Sequence, residues 1–306
     1  TTIKNNINEA NADHTFTTRI TNHATERLTN IELASDAVSS ILLPDGIFDF
    51  NERTGIRNYA AGYKDAPVDI AGTQDLGIGG GVCQVSSTLY NAVIRYGGKY
   101  EADDATPGRT KDQPGLAVIE RDNHSVPSGY VMKGMDATVD MQLPSGKSNK
   151  NLCFRNDFDK PVLIVLYWEK IGSYWYEHCD IYGPPLTENG STVSYDLVGK
   201  NNRKLELNPE TPPTIRYSTH AEPGNPVLKS GGDGFTIDMY INKTVNGDTT
   251  SYKIYSDRCD PQPPYWYMYP GEAVPTPTPE PTPTPEFTAP ESTTPAESPP
   301  GGEGGG

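Results

Sequence analysis

From Gly271 to Gly306 the chain holds ten prolines, six glutamates, five hydrophobic residues and no lysine or arginine. The hexapeptide Pro-Thr-Pro-Thr-Pro-Glu occupies 275–280 and again 281–286. Such a stretch cannot bury enough apolar surface to offset the entropy of ordering its backbone, so residues 271–306 read as a disordered, extended tail. Whatever folds must be built from the first 270 residues. They keep 18 of the 28 prolines and a net charge of −9 out of −15. Pro/Thr/Ser-rich tails accompany secreted and wall-associated proteins, and cytosolic linkers can look similar; the expected place is outside the cell, at the surface or wall. The longest apolar runs, such as 161–168, fall well short of the ~20 residues of a membrane-spanning helix. No signal segment opens the chain, so a membrane link is expected only through an N-terminal anchor missing from this sequence. Lysines and arginines, 25 against 40 acidic residues, form no cluster and argue against nucleic acid as a partner.

The foldable part changes pattern near residues 190–200. Before that point, 30–41 places Ile31, Leu33, Ala34, Ala37, Val38 and Ile41 on one helical face, with Asn30 as N-cap. Residues 84–96 repeat Val85, Leu89, Ala92, Val93 and Tyr96 at helical period, and Gly97-Gly98 stops the helix. Strands are expected at 47–50, 116–120 and 137–141, and a hairpin at 161–168 and 174–182 turning through Gly172. After 191 the pattern is all strand, at 203–207, 214–217, 234–244 and 250–256, with Asn246-Gly247 as a hairpin turn. The expected fold is α+β: a mixed domain with two helices and mostly antiparallel strands over 1–190, then a small all-β module over 191–270 that binds or spaces, then the tail.

Chemistry concentrates at Gly79-Gly80-Gly81-Val82-Cys83-Gln84. Successive glycines permit backbone shapes closed to other residues, and they deliver Cys83 to the first turn of an amphipathic helix. Unpaired N–H groups and the helix dipole favour an anion there, so the Cys83 thiol should ionise readily. The same amides could donate to a developing oxyanion. A buried, inert cysteine after a tight turn is the plainer alternative. Of the five histidines, His124 lies where a loop leaves the 116–120 strand, and is the candidate base. Asp122 and Asp136 are the carboxylates near it in sequence. Cys153, Cys179 and Cys259 complete the four cysteines; Cys153–Cys179, Cys179–Cys259 and free thiols all remain open. No Cys/His spacing of a metal site is present, and neither metal nor cofactor is expected.

At these residues the chain resembles the VanW family, named from an accessory protein of some glycopeptide-resistance clusters. Matching stretches are Phe48-Asp49-Phe50-Asn51-Glu52, Gly62-Tyr63-Lys64-Asp65-Ala66-Pro67-Val68, the 79–92 block, His124-Ser125-Val126-Pro127 with Tyr130-Val131, and Asp136-Ala137-Thr138-Val139. Residues 200–265 resemble the small β module named for five glycines. Residues 99–115 look like an insertion, and Met135 stands where the resemblance leads one to expect arginine; Arg57 is the substitute cation. Some VanW domains resemble L,D-transpeptidases. The resemblance thus implies a peptidoglycan enzyme acting on stem peptides, with Cys83 as nucleophile, His124 as base and Asp136, ahead of Asp122, orienting it. Backbone at Gly81, Cys83 and Gln84 would face the oxyanion, and Tyr63, Ser86 and Tyr130 would line the groove. Two alternatives fit the same residues: a cysteine peptidoglycan hydrolase, and a non-enzymatic wall or stem-peptide binding module.

Overall fold

The computed structural model describes residues 16–70, 73–100, 114–124, 126, 128–140 and 150–275. The hexapeptide repeats beyond Pro275, residues 101–113 of the 99–115 insertion, Ser125 and Pro127 lie outside the described residues. Among the described residues, three α-helices and mostly antiparallel strands make the fold α+β, with one helix more than the sequence pattern predicts.

Leu28, Ile31, Ala34, Ser35 and Val38 recur at helical spacing and form the buried face of α1, Thr25–Val38. Asn30, expected as its N-cap, lies inside the helix and is fully buried. Its amide is engaged in tertiary bonds described below. Ile41 belongs to the following strand, Ser40–Leu42. The unexpected α2, Phe50–Thr54, exists because Asp49 caps it, its carboxylate accepting from Glu52 N–H at 2.9 Å. Every residue of α3, Val82–Arg95, is buried except Cys83 and Arg95. This helix is the axis of the core. A helix covered all round is clothed by other elements, and here the cysteine marks where the cover opens.

One antiparallel sheet has the order Phe16–Ile20, Tyr174–Tyr182, Val162–Ile171 and Ser40–Leu42; its hairpin turns at Gly172 as expected. A second runs Ile47–Asp49, Leu152–Asn156, Leu116–Arg121 and Lys99–Tyr100, the last pair parallel. A separate hairpin, Asp65–Ile70 with Thr73–Ile78, feeds the glycines before α3. Downstream, Thr187–Glu188, Ser191–Leu205, Gly234–Val245 and Asp248–Cys259 form an antiparallel sheet, turning between its last two strands through Asn246 and Gly247, both at positive φ. The strand expected at 203–207 is the end of the long Ser191–Leu205, beyond a bulge at Lys200 to Arg203. A small sheet of Thr214–Tyr217, Tyr265–Met268 and Val227–Lys229 completes the described chain. Contacts group the described residues up to Glu272 into one compact unit. No helix among the described residues is long and apolar enough to cross a membrane.

The strand expected at 137–141 does not form. Within its described part only Thr138 is bridged, to Asp122. Side chains take the place of a neighbouring strand there, and that substitution shapes the site.

Candidate active site

The approach to Cys83 explains its glycines. Gly79 and Gly81 sit at φ +86° and +114°, and a Cβ on Gly80 would stand 2.6 Å from the carbonyl oxygens of Ala66 and Pro67. Asn30 pins this turn to the neighbouring hairpin: its amide NH2 donates to Gly80 O (3.0 Å) and Lys64 O (2.9 Å), and its oxygen accepts from Lys64 N–H (2.8 Å). Asn30 is therefore a positioning residue for the cysteine turn. Its cap-like place in the sequence concealed this, because an asparagine ahead of an apolar repeat is also the commonest helix start.

Cys83 is half-buried on the first turn of α3, its Sγ 3.4 Å from Val139 O. His124 is buried, and Asp136 grips it twice: one carboxylate oxygen accepts from the His124 backbone N–H at 2.6 Å and meets ring Nδ1 at 2.9 Å. That contact leaves Nε2 for Cys83 and for the Tyr130 hydroxyl, 3.4 Å away. Asp122 is turned elsewhere, its carboxylate accepting from Asn151 N–H at 3.0 Å. Burial alone would push the Cys83 thiol up. The hydrogen bond and positive charge of His124, reinforced by Arg57, outweigh it and hold the thiol below its ordinary value. Burial would likewise push His124 down, but its bonds to Asp136 and Cys83 push it up, to about 10. The pair is thus a thiolate and an imidazolium over a span of pH. Burial pushes the Cys153, Cys179 and Cys259 thiols the other way, well up. All four cysteines are free.

Asp136 reaches His124 on a segment held by side chains. From α3, Ser86 Oγ donates to Ala137 O at 2.5 Å, Ser87 Oγ accepts from Ala137 N–H at 2.9 Å, and Asn91 donates to Met135 O at 2.7 Å. From the opposite side Arg121 Nε donates to Asp136 O at 2.6 Å. Buried backbone polar groups require partners, and here they come from serine, asparagine and arginine rather than from a ladder. A strand-like alternation in sequence carries no record of that choice.

The remaining expected site residues divide. Arg57 lies close enough for its charge to act on Cys83, and its guanidinium donates to Asn51 Oδ1 and Thr54 Oγ1. Tyr130, half-buried, lines a groove of about 590 Å3 with Phe16, Val131, Met132, Met135 and Leu197; Cys83 and His124 are not part of its lining. Ser86 is fully buried, so it fastens the Ala137 backbone and does not line the groove. Tyr63 is buried too, under the influence of Arg57. Gln84 cannot supply an oxyanion donor, because its N–H is donated to Gly81 O at 3.0 Å. Its buried side chain ties Arg27 to Thr18 and to Arg19 O. The Cys83 and Gly81 N–H groups, by contrast, meet no acceptor among the described residues. No cluster that could hold a metal occurs among the described residues.

Comparison with known proteins bears on this region. Residues 26–101 and 110–174 match the family model described as VanW like protein, a span that includes Cys83, His124 and Asp136. The "Uncharacterized protein YoaR" of Bacillus subtilis (strain 168) is 35% identical over 136 residues, 44% of this chain and 37% of that protein. The chain therefore spans little more than a third of the length of this relative. Two solved structures, "Crystal structure of HP0197-G5" and "IgA1 Protease G5 domain structure", are 16% and 14% identical, and each aligns with 26% of this chain. The alignments cover 99% and 93% of those structures at TM-scores of 0.14 and 0.16, too low to carry an argument. Through residues 26–174, the chain is similar to the VanW family.

Proposed function

We propose that this protein is a peptidoglycan L,D-transpeptidase working through Cys83. The observation that carries the reading is the opposed tuning of its thiols: one cysteine is made acidic by a histidine that a buried aspartate orients, while three are silenced by burial. In this reading the Cys83 thiolate attacks the carbonyl of the third residue of a tetrapeptide stem. The tetrahedral oxyanion meets the Cys83 N–H at the start of α3, with the Gly81 N–H beside it. His124 then gives its proton to the departing D-Ala amine, the C–N bond breaks, and a thioester remains on Cys83. Neutral His124 next takes a proton from the side-chain amine of a diamino acid on a second stem. That amine attacks the thioester, forms the 3→3 amide and releases the thiolate. Arg57 supports the thiolate between turns of the cycle, and Tyr130 borders the groove through which a stem would approach. The partners are stem peptides of the wall, the place of action is outside the cell, and residues 191–270 act as a module beside the 1–190 domain.

The test is incubation of the full chain with disaccharide-tetrapeptide, followed by mass spectrometry for a cross-linked dimer and for an acyl adduct on Cys83. Cys83→Ala should lose both, and His124→Ala should lose acylation at neutral pH while keeping its circular dichroism spectrum. Shortened monomer without dimer, at any amine concentration, would replace transfer by hydrolysis. Undiminished muropeptide binding by Cys83→Ser with no turnover by the wild type would replace catalysis by binding.

A further inference from the structure

We infer that the strand Asp248–Cys259 of the downstream sheet is a working wall of the Cys83–His124 site, and that Asp257 and Tyr255 are positioning residues for the Asp136–His124 pair. The inference rests on the cysteine–histidine reading of the site, and not on which acyl acceptor it uses.

The segment carrying Asp136 has no strand neighbour, so its place depends on what grips its carbonyls. Arg121, buried with only 4% of its side chain exposed, donates to Asp136 O and, through NH2, to Gly134 O at 3.1 Å. A guanidinium aimed at two carbonyls still needs a carboxylate to hold its charge. Asp257 provides it, its Oδ1 2.8 Å from Arg121 NH1, against 3.4 Å between NH2 and Asp136 Oδ1. Tyr255 stands under the same guanidinium, 4.6 Å from ring centre to Cζ, and its hydroxyl donates to Gly134 O at 2.7 Å. Gly134 itself sits at φ +82°, and a Cβ there would collide with Met239 of the adjoining strand. The thiol of Cys259 donates to His124 O at 3.2 Å. One strand thus touches the backbone on both sides of the catalytic pair.

Charge gives this contact a consequence beyond packing. Asp257, Arg121, Asp136, His124 and Cys83 form a buried series of alternating sign, with Arg57 beyond Cys83 and the Tyr130 hydroxyl at His124 Nε2. Asp257 Oδ2 has no partner among the described residues, so its charge is committed to Arg121. Without that charge, Arg121 keeps Asp136 as its one carboxylate and competes with His124 for it. Asp257 thereby reserves Asp136 for the imidazolium.

The experiment follows the His124 ring by long-range 1H–15N NMR in the full chain, with thermal melting as the control for folding. Asp257→Asn, an isosteric change, should lower the titration midpoint of His124 by roughly one pH unit. Asp257→Glu should recover most of that shift. Tyr255→Phe should move the midpoint the same way by less. Midpoints equal to the wild type in both Asp257→Asn and Tyr255→Phe, with only lowered melting temperatures, would overturn the inference and leave the strand as packing. The ring titrates whether or not muropeptides are cross-linked, so absence of dimer product counts against the transpeptidase reading alone.

Discussion

Replacing Asp136 with asparagine tests the core of the site with little change in shape. In the wild type one oxygen of Asp136 accepts from both the backbone N–H and the ring Nδ1–H of His124, at 2.6 and 2.9 Å. Asparagine offers an oxygen of the same size but no charge. A hydrogen bond to a charged group contributes about 1.5–3 kcal/mol, and 1.36 kcal/mol corresponds to one pH unit, so the imidazolium should lose about one to two units of stabilisation. The balance between thiolate–imidazolium and thiol–imidazole then shifts toward the neutral pair by roughly 10- to 100-fold. Iodoacetamide reads that balance, since the thiolate alone reacts; intact-mass rates at Cys83 from pH 4 to 10 trace it. The wild type should react on a plateau that begins below the ordinary thiol value of about 8.5 and extends upward, because the thiolate persists once the imidazolium releases its proton. Asp136→Asn should react slowly at acid pH and rise through one inflection near that ordinary value. A folded Asp136→Asn protein with the wild-type plateau would refute the claim that Asp136 sustains the ion pair through His124.

Further expectations follow from other parts of the molecule. Limiting iodoacetamide at neutral pH should label Cys83 and spare Cys153, Cys179 and Cys259 until denaturant is added, as peptide mapping would record; early labelling of all four would contradict the opposed tuning. Ser87→Ala leaves the buried Ala137 N–H without its acceptor and should cost about 1–3 kcal/mol in urea unfolding, with slower Cys83 labelling as the Asp136 segment loosens. Gly80→Ala forces a Cβ against two carbonyls and should destabilise the fold, with loss of the acidic thiol plateau. Glu177, buried and accepting from Ser35 Oγ at 2.7 Å, is raised by its burial to about 8. A carboxyl raised on folding holds its proton in the native state while the unfolded chain releases it. Stability should therefore decline between about pH 4.5 and 8, by an amount on the order of a few kcal/mol, and Glu177→Gln should flatten that decline in denaturant titrations.

Local chemistry was the legible part of this sequence. Glycines followed by cysteine at a helix start, and a histidine where a strand ends, are short-range signals, and both lie where their residue types require. Asn30 misled because helix caps and tertiary amide clamps use the same side chain. Ala137–Val139 misled because alternating burial arises equally from a strand and from an extended segment bonded by Ser86, Ser87, Asn91 and Arg121. Gln84 failed as an oxyanion donor for a reason of one residue: the first turn of α3 tightens, and its N–H returns to Gly81. Nothing in sequence marks Asp257 as a neighbour of Arg121, 136 residues earlier, because a charged residue on an alternating strand reads as a solvent-facing one.

The pairing of Phe16–Ile20 with Tyr174–Tyr182 sets a schedule for the newborn chain. Thr17 meets His178, 161 residues later, and Thr18 bonds Thr88 and Gln84 of α3. At ~5–20 residues per second of synthesis, the first strand waits roughly 8–30 s for its partner to emerge. For the later part of that interval α3 exists without the sheet that covers its far side, and until residues 124–139 follow it Cys83 lacks the histidine and the segment that hold its thiol down. The thiol is then an ordinary one, and its acidity arrives only when His124 and the Asp136 segment close over the start of α3.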